Sequence, residues 1–200
     1  MVKTHSLQSI AYLLVISAPS GGGKTTLCQR LLQDFPNLTL SISSTTRPPR
    51  GVEKNGIEYF FLTHDEFEKQ IQAQQFAEWA VVYGNYYGTS KRILEEILEK
   101  QQSVLLDIDV QGAKQLKVNF PSQCYRIFIA PPNLLELEKR LRNRGTDTEE
   151  SIQRRLNQAK LEMQEGMNFD SVVINDRFEA AYQELKSILE TKLSLFPRQK

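Results

Sequence analysis

The sequence predicts an α/β fold, a parallel sheet between helical layers in a three-layer α/β/α core, with two smaller parts appended. Three observations predict it. Four short apolar runs, residues 12–17 (YLLVIS), 103–108 (SVLLDI), 125–130 (YRIFIA) and 171–174 (SVVI), are continuous rather than alternating, as in strands buried on both faces. Amphipathic helical spacing falls between them, and strands alternating with helices imply right-handed βαβ units. The first run passes directly into a glycine-rich turn and then a helix.

Two hundred residues fit one compact body with small inserts. With 40% hydrophobic and 24% charged residues the composition is ordinary, so collagen-like and low-complexity chains are excluded. Twenty-five Lys and Arg against 24 Asp and Glu leave a net charge of +1. A globally basic polyanion binder is excluded and no nucleic-acid partner is expected, although a local positive site remains open. The residues offer no other signal on assembly, and a monomer or a homo-oligomer is expected.

Taken in order, residues 1–9 are polar and read as loose. The longest apolar run, 10–16, is too short to cross a bilayer, and no membrane partner is expected. Read as a secretory leader, it would be cleaved into the glycine turn that follows, so it is taken as the first strand. Leu27, Leu31, Leu32 and Phe35 then recur at helical spacing, and Pro36 ends that helix. Residues 42–90 break the βαβ rhythm. They are rich in aromatics and turns, with Thr63-x-x-Glu66 as a capping box, and read as a small mixed insert.

The second strand, 103–108, leads into a short helix from about Val110 to Val118. The third is stopped by Pro131-Pro132. Residues 133–165 are helical and charged, with a stripe of Ile152, Leu156, Ala159 and Met163. The fourth strand precedes an amphipathic helix marked by Phe178, Ala181, Tyr182, Leu185 and Ile188. The core then comprises about 10–41, 91–132 and 166–195. Cys28 and Cys124 lie in apolar segments without metal-ligand or disulfide spacing, which predicts buried free thiols and a cytoplasmic address.

The glycine turn carries the chemistry. Ala18, Pro19, Ser20, Gly21, Gly22, Gly23, Lys24 and Thr25, followed by Thr26, match G-x-x-x-x-G-K-[ST] except that Ala18 replaces the first glycine. Consecutive glycines let backbone N–H groups point inward, and the following helix adds its positive end. Lys24 is placed to reach the β- and γ-phosphates of a nucleoside triphosphate, and Thr25 to offer a hydroxyl to Mg²⁺. Asp107 is the acid expected opposite such a loop. It shares a strand face with Asp109 if the strand continues that far; otherwise Asp109 fits as a helix cap.

In the insert, residues 43–50 read SSTTRPPR, with Arg47 and Arg50 three apart in a proline-bounded segment. Paired arginines beside hydroxyls suit a phosphate monoester. Tyr59, residues 78–80 (EWA) and residues 84–89 (GNYYGT) follow. With residues 105–112 (LDIDVQG preceded by Leu105) and 144–152 (RGTDTEESI), these motifs resemble the guanylate kinases from about residue 13 to 189.

The resemblance implies a P-loop fold of core, GMP-binding insert (about 42–90) and helical lid (about 133–165), and transfer of the ATP γ-phosphoryl group to GMP. It implies that Arg47, Arg50, Tyr59 and Tyr87 hold the GMP phosphate. Ser43, Glu78, Thr89 and Asp109 would surround guanine, with Thr89 where the family often has serine. Guanine offers N1–H and N2–H₂ donors on one edge, which suit acceptor-only carboxylates. Lys24, Arg50, Arg140, Arg144 and Arg155 would act on the transferring group, Arg142 and Arg154 being weaker candidates. Asn175 and Asp176 would either contact adenine or cap the last helix. ATP with Mg²⁺ is the implied donor. Related domains that serve as protein scaffolds should lack the Gly-Lys-Thr loop or the lid arginines, and this chain keeps both.

Overall fold

A computed structural model of the protein describes residues 11–143, 145 and 147–194. The chain begins with β1 (Leu13–Ser17), all five residues buried, and α1 (Lys24–Asp34). Phe35, forced out of helical geometry by the proline after it, closes α1 by donating its N–H to Leu31 O. Three two-residue strands follow: β2 (Thr39–Leu40), β3 (Ser44–Thr45) and β4 (Phe60–Phe61). Then come α2 (His64–Gln72), β5 (Phe76–Val82), β6 (Asn85–Ser90) and α3 (Lys91–Glu99). β7 (Val104–Asp107), α4 (Val110–Asn119), β8 (Cys124–Ala130), α5 (Leu134–Asn143), α6 (Glu149–Gly166), β9 (Ser171–Ile174) and α7 (Phe178–Ser194) complete the order.

The larger sheet has the order β2-β7-β1-β8-β9, and every pairing in it is parallel. Leu14, Ile16, Leu105, Ile127 and Ile129 pack on one face against Leu27 and Leu31 of α1 and Tyr182, Leu185 and Leu189 of α7. Leu13, Val15, Val104 and Leu106 pack on the other against Leu94 of α3 and Ala113 and Leu116 of α4. These are the three expected layers, with both faces of the sheet dry. β1 lies between β7 and β8, so the chain reverses its strand order there. A cleft at the carboxyl ends of the strands is the place such a sheet offers a ligand.

The smaller sheet has the order β4-β3-β6-β5 and is mixed. Its back is covered by α2, where Phe67 stacks on Tyr86 with centroids 5.1 Å apart. The Thr63–Glu66 capping box forms in both directions. On the α5–α6 pair, Leu137, Leu141 and Ala159 make a separate small core.

Outside the insert, two elements escaped the sequence pattern. β2 is two exposed residues at the sheet edge, too short to show a period. α3 follows β6 without a loop: Ser90 ends the strand and caps the helix, its hydroxyl accepting from Ile93 N–H. The two cysteines are buried and free, as expected. The first ten residues, Arg144, Thr146 and the last six lie outside the described residues, including the polar start that was read as loose.

Candidate active site

The glycine turn leaves β1 at Ser17 and is folded tightly, with Gly22 N–H donating to Pro19 O at 2.8 Å. Gly21 and Gly23 have φ of +93° and +90°, whereas Ala18 is not among the residues with positive φ. The missing first glycine of the motif is therefore harmless. Gly23 is the N-cap of α1, and a Cβ there would overlap the Nδ2 of Asn175 as well as strain the backbone. Asn175 reaches across from the end of β9, is buried, and donates to Gly22 O at 2.8 Å. This contact ties the end of β9 to the turn. Asp176 instead offers its carbonyl to Arg140 at 3.4 Å.

Lys24 opens α1 and points across the sheet end. Its ammonium pairs with Asp107 and donates to Ile108 O at 3.2 Å. Burial pulls the pKa of Lys24 down, but the Asp107 carboxylate more than offsets it and holds it above that of a free lysine. β7 stops at Asp107, so Asp109 does not share its strand face. Asp109 is the N-cap of α4, accepting from Gly112 N–H at 2.9 Å and from Gln111 Nε2 at 3.2 Å. Burial raises its pKa, while the Gly112 N–H and the charge of Lys24 pull it back.

β5 and β6 pair so that Glu78 lies opposite Thr89 and Ala80 opposite Tyr87, which puts Glu78, Thr89 and Tyr87 on one face. Glu78 and Thr89 are both buried, and the Thr89 hydroxyl donates to Glu78 Oε1 at 2.5 Å. Burial pushes the Glu78 carboxyl up to about 7, and the nearby Asp109 adds to the rise. Two acids thus meet beside Gly112, Glu78 buried and Asp109 half-buried.

Arg47 is buried beside this face, over the rings of Tyr59 at 5.2 Å and Phe61 at 6.0 Å. Tyr59 in turn meets Tyr87 edge-on, with centroids 6.0 Å apart. Both guanidinium arms of Arg47 are held by Glu53, at 2.9 and 3.0 Å, and the same carboxylate accepts Arg50 N–H at 2.7 Å. Ser43 is half-buried at the entry to β3, and its carbonyl accepts Phe60 N–H at 2.9 Å.

α6 supplies Arg155, which donates to the Ser20 hydroxyl of the turn at 3.0 Å and pairs with Asp147 at 3.0 Å. Arg140 pairs with Glu136 at 3.4 Å. Arg142 is engaged with Glu138 and Glu149 on the surface, and Arg154 lies 5.6 Å from the Tyr83 ring centroid. Arg144 lies outside the described residues. The exposed Thr25 hydroxyl and the Asp107 carboxylate are hard oxygen donors of the kind Mg²⁺ takes. Among the described residues no group of three or more acidic, His or Cys side chains is placed to hold a metal by itself. A divalent ion here would complete its shell with phosphate oxygens and water.

A family model described as guanylate kinase matches residues 11–192. The chain belongs to the guanylate kinase family. It is 50% identical over 194 residues to a guanylate kinase of Lawsonia intracellularis, covering 96% of this chain and 90% of that one. It is 49% identical over 177 residues to one from Geobacter sulfurreducens, covering 88% and 87%. The crystal structure of guanylate kinase from Anaplasma phagocytophilum superposes with a TM-score of 0.76 at 32% identity, covering 93% of this chain and 88% of that one.

Of the residues carried by the motifs, the structure pairs Lys24 with Asp107 and sets it near Asp109, sets Glu78 beside Thr89 and Asp109, lays Arg47 over Tyr59, and brings Arg155 to the glycine turn. Three further residues were missed. Glu53 could have been read from an acid three residues after Arg50, but nothing in the sequence says which arginine it holds. Tyr83, with φ of +49° between Val82 and Gly84, puts its ring 5.8 Å from Arg155. Glu162 of α6 is pushed up to about 7 by burial, with Asp109 adding to the rise, and no motif marks it.

Proposed function

We propose that residues 18–26 hold the triphosphate of ATP and that the pocket between the two sheets holds GMP. The chain is a guanylate kinase in activity: it moves the γ-phosphoryl group of ATP to GMP, giving ADP and GDP. The observation that best supports this placement is the pair of carboxylates at Gly112. Glu78 and Asp109 are acceptors where guanine presents two donors, and Thr89 orients one of them. Adenine offers an acceptor at N1 and would leave a buried carboxylate unpaired, which disfavours it strongly.

In this reading Arg47, Arg50, Tyr59 and Tyr87 take the GMP phosphate, with Ser43 beside the base. Glu53 aligns Arg47 and the backbone at Arg50 for that contact. Lys24 would exchange its pairing with Asp107 for the β- and γ-phosphates, leaving the carboxylate available as an oxygen donor. Thr25 and Asp107 would hold Mg²⁺, which would supply positive charge against the phosphates. Asn175 and the glycines keep the turn in shape for the phosphates. Arg140, Arg144 and Arg155 approach from residues 133–165, which act as the lid over a core of 10–41, 91–132 and 166–195.

The chemistry asks for alignment rather than a base. An oxygen of the GMP phosphate forms the new bond to the γ-phosphorus while the bond to the ADP oxygen breaks. Two anions must approach one another, and the cations from three segments offset their repulsion. Free buried thiols suit the reducing cytoplasm as the place of work.

A coupled assay of ADP release with ATP, Mg²⁺ and GMP tests the reading. Turnover with GMP and little with AMP is expected. Equal rates with both would remove Glu78 and Asp109 as the base-reading groups.

A further inference from the structure

α4 carries three residues on one face, Gly112, Gln115 and Asn119, spaced three and four apart, and all three meet β5. Asn119 Nδ2 donates to Ala77 O at 2.9 Å. The Gln115 amide grips both sides of the Trp79 peptide: Nε2 donates to Trp79 O at 2.6 Å and Oε1 accepts Trp79 N–H at 3.1 Å. β5 is the edge strand of the smaller sheet, and the primary amide pairs with it much as a neighbouring strand would. Between these anchors stands Glu78. A Cβ at Gly112 would overlap Glu78 Oε2 and stand 2.9 Å from Cδ, so the missing side chain is the space the carboxylate occupies. The same helix begins at Asp109, its N-cap.

We propose that this face of α4 is a positioning element for base recognition, with Gln115 as the positioning residue and Gly112 as the specificity-determining gap. The inference rests on the placement of guanine at Glu78 and Asp109. One rigid helix carries Asp109 at its tip and pins the backbone on either side of Glu78. It therefore sets the spacing of the two acceptors, although Gln115 itself touches no substrate. Without the amide, β5 is held on α4 by Asn119 on one side of Glu78 alone, and a small shift there keeps the two donors of guanine from meeting both acids at once.

The test uses Gln115→Ala and Gly112→Ala in the full chain. Both changes raise helix propensity, and Gln115 borders an open cleft of about 580 Å³, so water replaces its hydrogen bonds when it is removed. The kcat/KM values for GMP, for IMP (which lacks the 2-amino group) and for ATP are measured beside the thermal midpoint. A small displacement of reacting partners costs on the order of 10²-fold, so kcat/KM for GMP should fall about ten- to a hundredfold. The GMP-to-IMP ratio should fall with it, while KM for ATP stays within about twofold. Parallel losses for ATP and GMP, or an unchanged GMP-to-IMP ratio, would overturn the proposal. Glu78→Gln separates the two levels. If it keeps wild-type discrimination, the guanine placement itself fails and this inference with it. If it loses discrimination while both α4 variants keep it, only the α4 role is wrong.

Discussion

Glu78 shows how one residue's environment becomes a function. A carboxylate away from water is costly, and burial pushes this one up to about 7. Its folded pKa lies above the unfolded value of 4.5, so it stabilises the free protein at low pH, and that contribution is lost as pH rises through about 7. In the proposed placement guanine would reverse the preference, because two donors pair better with the acceptor-only ionised form. KM for GMP should therefore fall as pH rises towards about 7 and then level. Glu78→Gln should raise KM for GMP about 10- to 100-fold, the worth of a charge-assisted hydrogen bond, and remove that part of the pH profile. Glu162, also near 7, and the GMP phosphate stay in the variant and account for what remains. An unaltered profile would show that Glu78 is not the titrating group. Lys24→Ala should lower kcat about 10²- to 10³-fold with circular dichroism unchanged, since one charge-stabilising donor is lost. Lys24 was legible from its motif. The Asn175 contact to Gly22 was not, because 153 residues separate the partners.

At the level of elements, short segments do their work by where they end. β1 ends on a turn whose last glycine has φ of +90° and lies against Asn175. Gly23→Ala should cost about 1–3 kcal/mol in chemical denaturation, the usual strain of a side chain in that region. It should also raise KM for ATP more than KM for GMP; an equal rise would detach the turn from donor binding. The β5–β6 hairpin ends in a two-residue turn, Tyr83 and Gly84, both with positive φ. Tyrosine is an uncommon choice there, and its ring lies against Arg154 and Arg155 of α6. Tyr83→Ala should lower kcat about three- to tenfold by loosening Arg155, the scale of one cation–π contact. A kcat equal to wild type would make the ring a mere surface contact. The aromatic richness of 42–90 signalled an insert, but the pairing of Glu78 with Thr89 depends on register, which a seven-residue strand with a bulge does not announce.

For the whole molecule, the cations proposed to act together arrive from separate places: Lys24 from α1, Arg47 beside β3, Arg155 from α6. Small-angle scattering should show compaction when ATP analogue and GMP are both present, and less with either alone. An unchanged radius of gyration would argue against a closing lid. This division also explains the charge balance. A net charge of +1 is compatible with two nucleotides because the cations proposed to hold them are few and local, and other charges pair on helix surfaces, as Arg92 does with Glu96 and Arg142 with Glu149. The sequence by itself determined the α/β class, the phosphate turn and the family, because buried parallel strands and glycine turns leave local patterns that need no partner to be recognised. Only the tertiary structure decided that Glu53 holds Arg47, that Asn175 holds the turn, and that α4 lies against Glu78. Those contacts join residues between 6 and 153 positions apart, through side-chain geometry that no local pattern encodes.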